Sequence, residues 1–327
     1  MSEIPLRSLG RAPIYHRRSG PAFRHAAAAT LVAAVALLSG KALACACGCA
    51  VFDVGTSSLL PSGPGGTVFA EYDFLDQNIN WSGDSRAPSA NNEDKEIRTN
   101  FFVVGGQYMF NASWGVMVEV PVTNRYLRTT DEDSGDIVSF DHTAFGDVRL
   151  MGVYSGFSED MSTGVVFGVK LPTGDSTFAG FDPDTEIGSG STDLLLGAYH
   201  TGALSADQSF NYFAQVLWQH EVALRNSYRP GPELNGAVGI SYNNFMIGDV
   251  HIAPIFQLIV SSRGRDGSLN GDPDNTGYTR LILSPGFEVD RGNWKIYSDV
   301  EVPVYQHMNG NQLVAPAAVK FILSRSF

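Results

Sequence analysis

From Gly66 to Phe327, apolar and polar side chains alternate with a period of two, interrupted roughly every 20 residues by turn-forming residues. The run Trp114-Gly-Val116-Met-Val118-Glu-Val120-Pro-Val122 sets its even positions on an apolar face, while Glu119, Thr123 and Arg125 point the other way. Twelve such segments begin near Gly66, Glu96, Trp114, Ile137, Met161, Thr192, Ser209, Glu233, Val250, Gly277, Asn293 and Gln312. Their connections alternate in length. Asn111-Ala-Ser113, Ser158-Glu-Asp160, Ser205-Ala-Asp207, Asn243-Asn244 and Asp290-Arg-Gly292 are short, and the stretches 82–95, 129–136, 174–191, 225–232, 263–276 and 308–312 are longer and polar.

An even number of strands with short turns at one end and long loops at the other is the pattern of an outer-membrane barrel. In lipid, an unpaired strand edge leaves backbone groups with nothing to bond, so such a sheet must close. The expected fold is therefore all-β: a twelve-stranded antiparallel transmembrane barrel in the outer membrane, with both termini in the periplasm. The last strand ends on Phe327, with Phe321 and Leu323 on the same face, and Trp81, Trp114, Tyr154, Trp218, Tyr242 and Trp294 fall where an interfacial girdle belongs. Composition agrees. Charged residues are 17% of the chain against about 25% in ordinary soluble domains, and 35 glycines disfavour an all-helical fold. The longest apolar run, 26–38, is too short for a membrane helix.

That run has another meaning. Arg7, Arg11, Arg17, Arg18 and Arg24 precede it and Ala42-Leu43-Ala44 follows, which together read as a secretory signal peptide over 1–44. Residues 45–65 then form a Cys-containing segment, a linker or a plug, and 66–327 the barrel. The leader holds six of the 22 basic residues and one of the 34 acidic ones, so the remainder carries 16 and 33, a net charge of −17. Nucleic acid is excluded as a partner; outer-membrane lipid and a small-molecule solute are expected.

If the apolar parity faces lipid, the opposite parity lines the lumen. Among these positions are Glu119, Asp147, Arg149, Lys170, Gln215, Gln219, Arg280, Asp299 and Glu301. Such a lumen is either a narrow channel for small solutes or a set of internal ion pairs that hold the wall in shape; Tyr108, Tyr278 and Tyr297 favour the wet reading.

Three motifs stand close together: Phe145-Gly146-Asp147-Val148-Arg149-Leu, then Lys170-Leu-Pro172-Thr173-Gly174-Asp175, then Gly188-Ser-Gly190-Ser-Thr-Asp193-Leu-Leu-Leu-Gly197. They resemble the outer-membrane transporter barrels associated with the meta pathway of phenol degradation, with specific motifs over 145–197. The resemblance implies passage of small, often aromatic or apolar solutes and supplies no catalytic or binding residues. Independently of it, Pro172 ends a ladder and Gly174-Asp175 turns the chain into the longest loop.

Cys45, Cys47 and Cys49 follow the cleavage site directly. They are read as a disulfide or lipid anchor, or alternatively as a copper or zinc site of a metal-binding or redox-linked outer-membrane protein; the channel reading calls for no cofactor. An enzyme is not expected. A lipid-wall hydrolase would need a Ser paired with His142, His200 or His220 on the apolar parity, and no sequence pattern singles one out. The acidic stretches Asp131-Glu-Asp133, Asp182-Pro-Asp184-Thr-Glu186 and 266–274 lack the EF-hand spacing and are expected to be solvated loops.

Overall fold

In a computed structural model the chain is described over residues 59–327, save 62, 132, 225 and 226. The signal peptide (1–44), Cys45, Cys47, Cys49 and most of the segment 45–65 lie outside the described residues. Alternation produces the strands, because successive side chains leave opposite faces of an extended chain.

Twelve strands form the wall: β1 (Gly65–Gln77), β2 (Asp94–Met109), β3 (Trp114–Thr130), β4 in two pieces (Ile137–Phe145 and Arg149–Tyr154), β5 (Thr163–Lys170), β6 (Ser191–Ala203), β7 (Phe210–Leu224), β8 (Glu233–Tyr242), β9 (Val250–Arg263), β10 (Tyr278–Arg291), β11 (Trp294–Val314) and β12 (Ala318–Ser326). Each pairs antiparallel with the next, and β1 pairs with β12 from Thr67↔Ser326 to Leu75↔Ala318, which closes the barrel. Residues 312–314 meet Trp81, Asn80 and Ile79 in that same register, so the closing hairpin turns at 308–312. The chain's last carbonyl, on Phe327, accepts the Gly66 amide at 2.9 Å, and the Phe327 ring covers Gly66, where a Cβ would lie 2.2 Å from it.

The outward parity is apolar. Val104 is 64% exposed, and Phe102, Val118, Leu196, Val238, Phe256, Val302 and Phe321 are exposed on the same outer wall. A band of this extent has no place on a soluble monomer and is what lipid requires. At the end carrying the short turns, Trp114 packs at a tilt on Tyr154 (4.7 Å), Tyr154 meets Phe157 edge to face (5.0 Å) and Phe210 packs at a tilt on Tyr242 (4.9 Å), a girdle at one rim of the band. Two of the expected orientations are reversed. Tyr108 faces outward, against Phe110 in this girdle, and does not line the lumen. Trp81 faces inward, against Tyr278, Met308 and Val314, because β1's inward parity continues unbroken into Ile79–Gly83.

Inside, two hydrophobic clusters occupy the half of the bore near the short turns. Phe69, Phe213, Ala237, Ile255, Ile259, Ile282, Tyr297 and Ile322 form one core, with Leu59 against it, and Met109, Val153, Met161 and Tyr199 form a second, with Leu60 against it. Glycines make room for the rings: a Cβ on Gly105 would lie 2.2 Å from the Phe69 ring, and one on Gly239 would lie 2.3 Å from Phe213. This half of the interior is a hydrophobic core and not the wet passage that the tyrosines suggested.

Candidate functional site

The site grows from an irregularity in β4. Val122 pairs with Phe145, but three positions earlier Glu119 pairs with Arg149, so Val120 and Pro121 face Gly146, Asp147 and Val148. One extra residue on β4 is a bulge, and a one-residue slip exchanges the faces of everything beyond it. Below it Met151 and Val153 point inward with the rest of the odd parity. Above it the even positions point inward: Phe140 packs with Leu127, and His142 lies opposite the buried Arg125. His142, expected on the lipid face, is thus an interior residue.

The bulge aims Asp147 into the wall's interior, where it gathers both ends of the loop 171–190. Its Oδ1 accepts the Gly174 amide at 3.0 Å, and its Oδ2 accepts the Ser189 amide at 2.9 Å, the Ser189 hydroxyl at 2.6 Å and Lys170 Nζ at 3.0 Å. Lys170, 5% exposed, bridges Asp147 to Asp193 at 3.0 Å on either side. Gln219 donates to Asp193 at 2.6 Å and accepts from Arg149 at 3.3 Å, and Arg149 faces Glu119 at 3.7 Å. The loop's neck closes where the Gly188 amide donates to the Asp175 carbonyl; a Cβ on Gly174 would sit 2.7 Å from Gly188 Cα.

From this neck the loop turns into the barrel. Phe178 stacks on His142 at 3.9 Å, and Phe181 is buried with Ile97, Leu127 and Leu313. Arg125 donates to the Thr185 and Glu186 carbonyls, and His142 Nε2 lies 2.9 Å from Asp175 Oδ2. The acidic stretch expected to be solvated is therefore largely buried: Asp184, Thr185 and Glu186 are all under 10% exposed. Asp266 is buried as well, between the Tyr228 hydroxyl (2.7 Å) and Arg263 (2.8 Å). Burial, reinforced by Asp182 and Asp94, raises Asp184 well above the ordinary carboxylate range, and burial with the nearby Asp175 pushes Glu186 up to about 7.

The sign follows. A carboxyl whose folded value exceeds its unfolded one of about 4.5 favours the packed loop at low pH and loses that contribution as pH climbs through about 7. Backbone amide exchange in 175–187 is expected to be slowest relative to the strands below about pH 4.5, to accelerate between about pH 5 and 7, and to level off above that. A Glu186→Gln variant should flatten the part of that rise that belongs to Glu186.

The loop covers both a seam and a cavity. β5 ends at Lys170 and β6 begins at Ser191, whereas among the described strands Ile137–Phe145 pairs with β3 alone; above Lys170 the loop borders this edge, where the Asp175 amide donates to the Phe145 carbonyl at 3.1 Å. Below it lies a cavity of about 230 Å³. Leu59, Leu60, Phe101, Val103, Met117, Met151, Ile187 and Leu217 give it an apolar lining. Of the lumen positions read from the sequence, Glu119, Asp147, Arg149, Lys170, Gln215 and Gln219 line this cavity. Arg280, Asp299 and Glu301 are buried in other parts of the inner wall: Arg280 lies over the Tyr278 ring at 4.2 Å, Asp299 accepts from Tyr297 at 2.6 Å and Gln257 at 2.9 Å, and Glu301 is 2% exposed. Among the described residues no group of three or more His, Cys, Asp or Glu is arranged to hold a metal ion.

The closed twelve-stranded wall has a counterpart among solved structures. An outer-membrane channel from Pseudomonas putida F1 superposes with a TM-score of 0.63 over 84% of this chain and 100% of its own, at 11% sequence identity. The fold is that of an outer-membrane β-barrel. The β domain of a Bordetella autotransporter (TM-score 0.49, 11% identity, 80% of this chain and 100% of its own) and the toluene transporter of Pseudomonas putida (0.40, 9%, 80% and 89%) are more distant. No family model matches the sequence, and no curated protein matches it. The resemblance over 145–197 thus rests on its motifs, and this outer-membrane barrel joins those motifs physically: Asp147, Lys170, Gly174, Gly188 and Asp193 meet at the loop's neck.

Proposed function

We propose that the protein resides in the outer membrane, with its short turns toward the periplasm, and conducts small apolar solutes of about one aromatic ring. The observation that carries this reading is the cavity. Its lining is largely apolar, and the charges along its edge are paired: Lys170 with Asp147 and Asp193, Arg149 with Glu119, Lys320 with Glu71 at 3.4 Å. A pore for ions or sugars presents a hydrated polar bore, whereas an apolar pocket with a few placed polar groups suits an apolar ligand. Size agrees, since an engineered cavity of about 150 Å³ holds benzene.

The loop 171–190 gives the route. Pro121, Gly146, Asp147, Lys170, Ile187 and Ser189 belong both to the cavity wall and to the region of the seam, so withdrawal of the loop opens the cavity at the side of the wall as well as at its mouth. The reading involves no covalent chemistry, and small aromatic or apolar solutes are the class the motif resemblance implies. The test compares cells expressing the protein with cells lacking it, measuring uptake of a labelled one-ring aromatic and of a disaccharide. Faster uptake of the aromatic alone supports the proposal. Equal uptake of the aromatic in both strains would sink it, and parallel acceleration of the sugar would establish a polar pore instead.

A further inference from the structure

The lipid-facing wall is not uniformly covered. Where β5 to β9 run side by side, the outward positions Ala198, Ala214 and Gly236 are small, and between them lies a shallow groove of about 540 Å³ edged by Val216, Val238 and Val260. Most of the surrounding band carries large side chains: Phe167, Leu196, Trp218 and Leu234 on one side, Ile240 and Phe256 on the other. A depression in this band opens into the acyl phase.

One end of the groove is polar. His200, exposed on the outer wall, places Nδ1 2.7 Å from the Thr163 hydroxyl and Nε2 2.8 Å from the Tyr212 hydroxyl. Thr163 opens β5 and Tyr212 lies two residues into β7, so the chain of three sits at the depth of the girdle formed by Tyr154, Phe157 and Phe210. A neutral imidazole allows two arrangements. In one, Nδ1–H donates to Thr163 and Tyr212 donates to Nε2; in the other, Thr163 donates to Nδ1 and Nε2–H donates to the Tyr212 oxygen, which frees the Tyr212 hydroxyl proton for an outside acceptor. At this depth the acceptors are the ester and phosphate oxygens of a lipid. A hydrolytic reading of the trio is poorly served, because the Thr163 amide is committed to Ser158 Oγ at 3.1 Å and is no oxyanion donor.

We propose that this groove is a phospholipid site: one acyl chain lies along Ala198, Ala214 and Gly236, and the Tyr212 hydroxyl, oriented by His200 and Thr163, donates to the ester or phosphate region. The occupant follows from position, since the groove interrupts a surface already in contact with lipid and its single polar end coincides with the interfacial girdle. The proposal rests on the reading of the band as membrane-embedded and is independent of the transported solute.

The test is native mass spectrometry of the folded barrel titrated with phosphatidylethanolamine at fixed activation energy. The wild type is expected to retain one lipid after the annular lipids are lost. A groove-filled variant, Ala214→Leu with Gly236→Leu, should shed that lipid with the rest; a Cβ at Gly236 meets nothing closer than the Gln215 carbonyl oxygen at 3.5 Å, so the strand tolerates the change. Loss of one hydrogen bond in Tyr212→Phe should weaken retention about fivefold. The heat-dependent gel shift of an intact barrel confirms folding of each variant. Equal retention by the wild type and the filled variant would overturn the proposal, as would a wild-type dimer that the filling substitutions dissociate, because the occupant would then be a second copy. Leu217→Trp, which obstructs the cavity and leaves the outer wall alone, should retain the lipid, so failure here and failure of the transport reading are separable.

Discussion

Leu217→Trp should nearly abolish uptake of a one-ring aromatic while leaving the barrel folded. Leu217 lines the cavity and packs against the core that holds Phe69 and Tyr297. An indole there occupies the space that the solute needs. Burying a ring of that size contributes about 2 kcal/mol, so denying it the site corresponds to about a thirtyfold loss of occupancy. The overpacking itself costs about 1–3 kcal/mol, which a continuous twelve-stranded ladder can absorb. Val104→Trp is the control: Val104 lies on the outer wall of β2, 64% exposed, and its replacement should leave uptake unchanged. Uptake that falls equally in both variants would point to impaired assembly, and uptake unchanged in Leu217→Trp would remove the cavity from the route.

The parts of this molecule that were readable in the sequence are those fixed by local alternation. β3 shows it: seventeen residues with Glu119, Thr123 and Arg125 inward and Val116 and Val118 outward, as period two demands. The same logic misplaced His142, because the bulge at 146–148 is a single extra residue with no composition of its own and everything above it changes face. Phe145-Gly146-Asp147 did carry a signal, a glycine and a short acid inside a strand, which is where bulges and close approaches occur.

Loop 171–190 was legible as a loop and illegible as a plug. Its acids look solvated when read alone. They are buried because Arg125, on β3 and distant in sequence, donates to the Thr185 and Glu186 backbone carbonyls, and because Phe178 and Phe181 anchor the segment inside the barrel. Gly174 and Gly188 flank that loop and touch, a contact that no local rule reports. The apolar filling of the bore was hidden for a related reason: Phe69, Phe213 and Ile322 share the inward parity with charged residues, and only the closed barrel shows that the apolar ones cluster, with ion pairs such as Lys295–Glu288 on one side and Lys320–Glu71 on the other.

The clasp at the loop's neck yields the second large effect. Lys170→Met removes the cation held between Asp147 and Asp193 and leaves two buried carboxylates facing each other. Breaking a buried pair by deleting one partner costs about 3–5 kcal/mol. That cost need not fall on the whole barrel. The neck is held by Asp147 through Gly174 and Ser189, and releasing the loop lets water reach both carboxylates, so the cheapest response is local opening. Cleavage of 175–187 by an added protease should accelerate by on the order of 100-fold, and ion current through single barrels should rise with it. Adding Asp147→Asn and Asp193→Asn to Lys170→Met removes the stranded charge, while the side-chain amide oxygen introduced at position 147 can still accept from the neck, so most of the protection should return. If Lys170→Met were as resistant and as silent as the wild type, Lys170 would have no part in the latch, and the Asp147 hydrogen bonds with the anchors Phe178 and Phe181 would suffice. Recovery in the triple variant would assign the opening to the stranded charge of Asp147 and Asp193 and the closure to the hydrogen bonds that position 147 accepts, placing the control of the seam on the three residues that join the separate motifs.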